Sequence, residues 1–504
     1  MNTKRLHELM SLPRQAQNWA EVCVYGVSSD SRQVKQGDLF ITCLGEPKRQ
    51  RSYIEQAQGK GAAAVAIDMQ QATRLDLSSL TVPIIGVDNL AAKQGAIAAR
   101  FFNEPSTHLS LIGVTGTNGK TSCSHFIAQC HKQLGISCGV IGTLGYGFID
   151  ALEDAPNTTP DEVTLQVQLG KMLSAGAKAC ALEVSSHGLD QGRLSGCHFK
   201  TAIFTNLTQD HLDYHGTMQA YGEVKSRLFK WPSLEHAVIN VDDDFSELLL
   251  KKIASNVVVC RYSADVEKST QVEVGVSYVV QNGDGLEAMV QTPKGDALLQ
   301  VGIIGRFNLS NLLATLSVLL IEGFDLNTAM ASINNLATVP GRMQLVKQDS
   351  NDKKPQAIVD YAHTPDALQK ALVAAKEHSG QGQLWLVFGC GGDRDTGKRA
   401  KMASIAEQFA DHVIVTDDNP RSEPSQKIID DICEGFSGTK EIIIKNDRSL
   451  AISYAMQAAN ASDIVLIAGK GHETYQETND KKIHFSDQEQ VLSALMTGGT
   501  SEIV

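Results

Sequence analysis

The sequence predicts an α/β protein of three domains. Its 504 residues are too many for one ordinary core, and at roughly 150 residues per domain they suggest about three. Short apolar runs alternate with segments of helical period, the pattern of largely parallel sheets covered by helices. A glycine-rich loop, "LIGVTGTNGKTS" at 111–122, joins an apolar strand to an amphipathic helix. The expected layout is a small N-terminal α/β domain at 1–105, a central P-loop ATPase-like parallel-sheet domain at 106–338, and a C-terminal Rossmann-like, doubly wound domain at 339–504.

In the first block, "GDLFITCLG", "GAAAVAID" and "VPIIGV" read as strands, "NLAAKQGAIAARFF" as a helix, and "NEPSTH" as a linker. The second opens with the buried strand "LSLIGV". From Lys120 the period changes, and Cys123, Phe126, Ile127, Cys130 and Leu134 recur at helical spacing. Strands follow at "CGVIGTL", "ACALEVSS", "TAIFTNLT" and "HAVINV", and "FNLSNLLATLSVLLIEGF" is a long helix ending at Gly323. After "ATVPGRMQ" the third block alternates strands "AIVDYA", "LWLVFGC", "HVIVTDD", "EIIIKND" and "DIVLIAG" with helices. Ligands of such sheets sit at the carboxyl ends of the strands, where Asp360, Arg394, Asp418–Arg421 and Lys470–Glu473 fall.

The bulk numbers narrow the function. Hydrophobic content of 42% and charged content of 20% are those of a soluble globular protein. No apolar run reaches about 18 residues, so no membrane span is expected. The start "MNTKRLHELMSLPRQAQNW" turns polar too soon for a secretory signal. A net charge of −12 argues against general nucleic-acid binding, and requires local cations and backbone N–H groups to grip any anionic substrate. The ten cysteines are scattered without a C-x-x-C pair, as expected of free thiols in a reducing cytoplasm.

The loop departs from G-x-x-x-x-G-K-[ST], because its first glycine position holds Val114. Its strand–loop–helix context nevertheless suits phosphate: Gly116, Thr117, Asn118 and Gly119 offer backbone, Lys120 a charge, Thr121 a hydroxyl for Mg²⁺, and Ser122 continues the helix start. Glu183 ends a buried strand, where an unpaired carboxylate is costly; a metal or a structural hydrogen bond would relieve it. His211 and His215 are four apart, as in a helical zinc pair, but the glutamate of H-E-x-x-H is absent. A single histidine with carboxylates fits a Mg²⁺–nucleotide site better. Lys225, taken alone, is a solvated lysine. Asn157, Thr158 and Thr159 in "APNTTPD" alone are a polar loop, and "DNPR" at 418–421 alone is an Asx-turn with a surface arginine.

Together these motifs resemble the Mur ligase family, the ATP-dependent amide-bond ligases of peptidoglycan synthesis. The resemblance rests on GTNGKT, "EVSSHGL", "TNLTQDHLDYHG", "YGEVKSRLF", "GRFNLSNLLA", "VPGRMQ", "VDYAHTPDAL", "GCGGDRDTGKR", "TDDNPRSEP" and "GKGHE", in order along the chain. It implies that Lys225 is carbamylated and that Thr121, Glu183, His211 and the carbamate meet Mg²⁺. Asn308 and Asn311 would face adenine, Arg342 the phosphates and Asp360 the ribose of ATP. The N-terminal domain would bind the uridine nucleotide through Ser29 and Ser31. Asn157, Thr158, Thr159, Ser185, Gln191 and Arg193 would hold the sugar-peptide. The family usually has Asp-Gly in the loop after "GDLF", which "GEPKRQRSYI" lacks, so uridine contacts at 46–50 are left unassigned. Arg394, Asp418, Asn419, Pro420, Arg421, Gly469 and Glu473 would cradle meso-2,6-diaminopimelate, with Arg421 forking its extra carboxylate and Glu473 taking its distal ammonium.

The implied activity is transfer of an ATP phosphoryl group to the D-glutamate carboxylate of UDP-N-acetylmuramoyl-L-alanyl-D-glutamate, followed by attack of the diaminopimelate amine on the acyl phosphate. Lys120, Lys225, His211 and Glu183 are the expected catalytic set. ATP and Mg²⁺ are the expected cosubstrate and cofactor, and a cytoplasmic monomer the expected form. Rivals are a lysine-adding ligase, a folylpolyglutamate synthetase-like ligase, and a dinucleotide-binding oxidoreductase suggested by "GCGGDRD". The last lacks the third glycine of its fingerprint, since position 394 is Arg394.

Overall fold

The structure, a computed structural model, describes residues 3–10, 19–43, 47–282, 285–346, 354–479 and 481–496. Three parallel or largely parallel sheets follow one another along the chain. The first has four parallel strands, Gly26–Ser28, Asp38–Thr42, Ala64–Asp68 and Ile84–Val87. Its helix Leu90–Phe101 packs against the central helix Glu162–Ser174. At Gly95 a side chain would strike the Ser195 carbonyl, so only glycine permits this approach. Polar ties cross the same seam: Ser29 Oγ donates to Asp161 at 2.9 Å and Gln94 Nε2 to Glu162 at 2.5 Å.

The central sheet has eight strands in the order Ala151–Glu153, Gly145–Phe148, Cys138–Gly142, Ala179–Glu183, Ser110–Thr115, Thr201–Phe204, His236–Asn240 and Val258–Tyr262. Only Gly145–Phe148 runs against the rest, pairing antiparallel with both its neighbours. Helices cover both faces, so the inner strands read as near-continuous apolar runs. Lys120–Gln133 and Arg306–Ile321 pack on one side, Glu162–Ser174 and Met218–Ser226 on the other. Because the inner strands are parallel, Thr115, Glu183, Phe204 and Asn240 end at one edge, and the phosphate loop opens there.

A three-stranded antiparallel sheet, Gly275–Asn282, Gly285–Thr292 and Gly295–Val301, follows the central sheet and was not expected from the sequence. Its Val276, Leu286, Ala288, Val290, Leu299 and Val301 join the core that buries the phosphate-loop helix. A second unexpected element is the hairpin Tyr475–Thr478 with Lys481–His484.

The C-terminal sheet runs Gln344–Val346, Gln356–Asp360, Ile464–Ala468, Leu384–Phe388, His412–Val415 and Ile442–Ile444, with only the first strand antiparallel. Pro365–Ser379, Gly397–Phe409 and Ser425–Cys433 cover one face, Arg448–Ala458 and Asp487–Met496 the other. This is the doubly wound arrangement that the alternation predicts. All ten cysteines are free: Cys23 is exposed, Cys43 and Cys433 are half-buried, and the others are buried. No helix of the described residues is long and apolar enough to cross a membrane.

Candidate active site

The strand Ser110–Thr115 runs into the loop 116–119 and the helix Lys120–Gln133. Gly116 (φ 150°) and Gly119 (φ 88°) lie in backbone conformations that favour glycine. Side chains there would also collide with Thr205 and with Asn311. Gly119 caps the helix without a side chain, leaving its first N–H groups directed at the loop mouth. Thr117 N donates to Asn206 O at 2.9 Å and Asn118 N to Asn206 Oδ1 at 2.9 Å, which shape the loop from the neighbouring strand. Lys120 Nζ donates back to the carbonyls of Gly116 and Thr117 at 2.9 and 2.8 Å. Its burial pushes its pKa down, so an anion in the loop is what would best hold it charged.

Glu183 is fully buried at its strand end. Oε2 accepts from Thr121 Oγ1 at 3.0 Å and Thr143 Oγ1 at 3.1 Å, and Oε1 from Thr143 N at 2.9 Å. Hydrogen bonds therefore already offset the desolvation of this carboxylate. Thr143, which sequence reasoning missed, also reaches Thr158 Oγ1 at 3.0 Å.

Lys225 is not solvated: it is 1% exposed. Its Nζ donates to Gly116 O at 2.8 Å and lies 4.5 Å from the Tyr221 ring centre. Burial, and then the Lys120 charge, drive its pKa well below that of a free lysine. His211 and His215 do not form a helical pair. His211 precedes the one-turn helix Leu212–His215 in a left-handed conformation (φ 52°), and His215 Nε2 bonds Ser186 Oγ at 2.9 Å. Burial lowers the His211 pKa against the opposing pull of Asp210, whose carboxylate is 3.3 Å away.

Lys120, Thr121, Glu183, His211 and Lys225 line a cleft of about 700 Å³ whose far wall belongs to the C-terminal domain, while His215 does not line it. Arg342, Asp360, Tyr361 and His363 face Lys120, Thr121, Glu183 and Lys225 across it. Arg342 Nη2 donates to Thr121 Oγ1 at 3.1 Å while its guanidinium stacks on Tyr361 at 4.5 Å. Asp360 accepts from Met343 N at 2.7 Å and Ala362 N at 2.8 Å. Asn311 reaches the cleft, whereas Asn308 does not line it. Asn308 donates to Ile304 O at 2.8 Å and accepts from Asn311 Nδ2 at 3.0 Å, so it supports Asn311 from behind. Asp366, missed in the sequence, joins the two domains. It accepts from Asn118 Nδ2 at 2.8 Å, Lys370 Nζ at 2.9 Å and Thr208 Oγ1 at 3.3 Å.

Thr158 and Ser185 also line the cleft. Thr159 is buried: its hydroxyl donates to Glu183 O at 2.8 Å and accepts from Ser185 N at 3.0 Å. Arg193 binds Thr159 O at 2.7 Å and is clasped by Gln191 Oε1 at 2.9 and 2.6 Å. These residues form one bonded patch, with Asn157 exposed beside it and its carbonyl on Tyr146 OH at 2.8 Å. Ser29 and Ser31 stand apart in the N-terminal domain. Their hydroxyls are engaged by Asp161 at 2.9 Å and Gln56 at 2.6 Å. Of 46–50, read from the sequence as loop, Glu46 lies outside the described residues, and the rest is not loop but the start of the helix Pro47–Gly59.

At the other end, Arg421, which follows Pro420, has a left-handed conformation (φ 54°) and bridges to Thr478 of the unexpected hairpin. Arg421 N donates to Glu477 O at 3.0 Å, and its Nη1 to Gly392 O at 2.8 Å. Gly391 lies between Arg421 and the exposed Arg394. Asn419 Nδ2 donates to Glu473 Oε2 at 2.8 Å. Asp418 closes on Gly469, where a Cβ would sit 2.8 Å from its Oδ2.

Among the described residues no three of His, Cys, Asp and Glu converge as a metal site. Thr121 and Glu183 nevertheless present a hydroxyl and a carboxylate 3.0 Å apart beside the loop. Such oxygen donors fit Mg²⁺, which is commonly held by one or two protein groups plus phosphate oxygens and water.

Family models of the Mur ligase middle domain and of the Mur ligase glutamate ligase domain match residues 114–319 and 341–471. The chain is 46% identical over 497 residues to the UDP-N-acetylmuramoyl-L-alanyl-D-glutamate–2,6-diaminopimelate ligase of Coxiella burnetii, covering 98% of this chain and 100% of that one. It is 46% identical over 476 residues to the Pseudomonas aeruginosa enzyme of the same name, covering 94% and 96%. A solved structure of a ligase of that name superposes with a TM-score of 0.69 at 37% identity, covering 98% of this chain and 99% of that one.

Proposed function

The chain belongs to the Mur ligase family, and on that premise we propose that it joins meso-2,6-diaminopimelate to the D-glutamate of UDP-N-acetylmuramoyl-L-alanyl-D-glutamate at the expense of ATP. It is an ATP-dependent amide-bond-forming ligase of peptidoglycan synthesis. The observation that carries this reading is the shared cleft: a phosphate loop, a buried lysine and a buried carboxylate on one wall, a cationic and carboxylate set from another domain on the other. Identity of 46% across nearly the whole chain favours diaminopimelate over lysine or folate substrates.

The work is divided among 1–105 for the uridine nucleotide, 106–338 for ATP and 339–504 for the amino acid. The expected form is a cytoplasmic monomer. ATP lies with its phosphates over Gly116–Ser122, its adenine against Asn311 and its ribose near Asp360. The D-glutamate carboxylate attacks the γ-phosphorus and ADP leaves. Lys120 and Arg342 offset the charge in transit. Thr121 and Glu183 would hold Mg²⁺, which would supply charge neutralisation to the phosphates when bound. Lys225 is suited to carbamylation, because burial favours the neutral amine that attacks CO₂; its carbamate and His211 would complete the metal's neighbours.

The diaminopimelate amine then attacks the acyl phosphate, and phosphate departs from the tetrahedral intermediate. Arg421 and Arg394 receive the distal carboxylate, and Glu473 the distal ammonium. The main contribution of the protein is alignment of three substrates. The test is ADP release: it should require the dipeptide nucleotide and diaminopimelate together, with magnesium and bicarbonate present. Release indifferent to either substrate, or turnover that depends on NAD, refutes the assignment.

A further inference from the structure

We propose that Lys470 is the positioning residue of the amino-acid cradle, fixing the side chains of Asn419 and Glu473 so that one glutamate oxygen is left for the distal ammonium. The inference rests on the reading above for the cradle. Lys470 has no exposure at all, so it does not itself meet the substrate. A buried ammonium is tolerated only where its donors are matched, and here they are. Nζ lies 3.0 Å from Asn419 Oδ1, 3.1 Å from Glu473 Oε2 and 3.6 Å from Asp418 Oδ1. The Tyr475 ring centre is 5.7 Å away.

The chemistry of each partner follows from that charge. An ammonium only donates, so it dictates which end of the Asn419 amide faces it. The oxygen does, and it also accepts from Glu477 N at 2.9 Å. The amide nitrogen is thereby turned to Glu473 Oε2 at 2.8 Å. Glu473 Oε2 then carries two donors, while Oε1 has no partner among the described residues. One acceptor remains, on a glutamate held by Asn419, which stands two residues before Arg421. Lys470 also separates two carboxylates, Asp418 and Glu473, that would otherwise repel across a closed space. The turn that delivers it is built for this: Gly469 (φ 120°) and Gly471 (φ 52°) flank it, and a side chain at 469 would press on Asp418.

The test is steady-state kinetics of the full-length protein with the dipeptide nucleotide, ATP and meso-diaminopimelate. Lys470→Met should raise the diaminopimelate KM by at least about tenfold, with KM for ATP and nucleotide within about twofold of the parent. A second variant at the same position, Lys470→Gln, guards against a folding defect of the first and should show the same split. A parental diaminopimelate KM in either folded variant overturns the proposal. So does an equal rise for all three substrates, or loss of cooperative melting in both variants, since each makes Lys470 a residue of general structure. If the parent protein itself fails to consume ATP with these substrates, it is the functional reading that falls.

Discussion

Replacing Asp487 by Ala removes the partner of a fully buried charge, and the cost follows from the local geometry. Arg448 and Asp487 have no exposed side-chain surface. The pair is bidentate, Nε to Oδ1 at 2.7 Å and Nη2 to Oδ2 at 2.8 Å. Without the carboxylate, the guanidinium keeps as hydrogen-bond acceptors only the carbonyls of Ala468 at 3.0 Å and Asp417 at 3.3 Å, with the charges of Asp418 and Glu473 acting from farther off. An uncompensated buried charge costs about 3–5 kcal/mol, a large part of a domain's typical total. At about 2–4 °C per kcal/mol for a unit of this size, the melting transition of the C-terminal domain should fall by roughly 6–20 °C. Calorimetry of the full chain reads this directly. The double variant Arg448→Met/Asp487→Leu should recover most of the loss, because an apolar pair leaves no orphaned charge. A single-variant loss below about 1 kcal/mol would show that water or rearrangement satisfies Arg448, and the reasoning would fail.

Other perturbations probe the site and its acid limit. Lys225→Ala should abolish turnover with the protein still folded and binding nucleotide; near-parental rates would remove Lys225 from the chemistry. Arg421→Ala should raise the diaminopimelate KM by at least about tenfold with little change for ATP, and equal losses for both substrates would contradict its role. Glu407 is held down to about 2, first by the Ser437 N–H and then, against burial, by the Ser437 hydroxyl and the Thr439 N–H and hydroxyl. A carboxyl depressed in the folded state stabilises above its unfolded value, near 4.3, and loses that contribution as pH falls toward about 2. Glu407→Gln should therefore be less stable than the parent at pH 7, and urea titrations should show the gap narrowing toward pH 2; a gap that widens in acid would reverse the sign.

The order of strands and helices was legible because parallel sheets demand buried apolar runs and helices demand a change of period. The phosphate loop was legible for the same reason: glycine, lysine and hydroxyl stand at a strand–helix junction. The antiparallel sheet at 275–301 was overlooked although "VEVGVSYVV" alternates and "PKGD" is a turn. Polar residues interrupt the apolar ones along each of its strands, so a reading tuned to buried parallel strands passes over it. The hairpin at 475–484 is mostly polar, and its role against Arg421 depends on contacts distant in sequence.

The site residues divide by the same physics. Glu183 could be suspected because a carboxylate ending an apolar strand needs a partner, yet the partner, Thr143, lies 40 residues away in the sequence. Asn308 and Asn311 carry the same side chain in one helix, and only packing decides that one lines the cleft while the other supports it. Lys225 was hidden by its type, because lysines are usually solvated. Its helix nonetheless carried the signal. Tyr221, Val224 and Leu228 are buried and lie four, one and three residues from it, which puts Lys225 on the inward stripe. A lysine on the apolar stripe of a helix must snorkel to water or be neutral, paired or modified. That constraint follows from spacing alone, and applied first it would have singled out Lys225 before any likeness to a family was drawn.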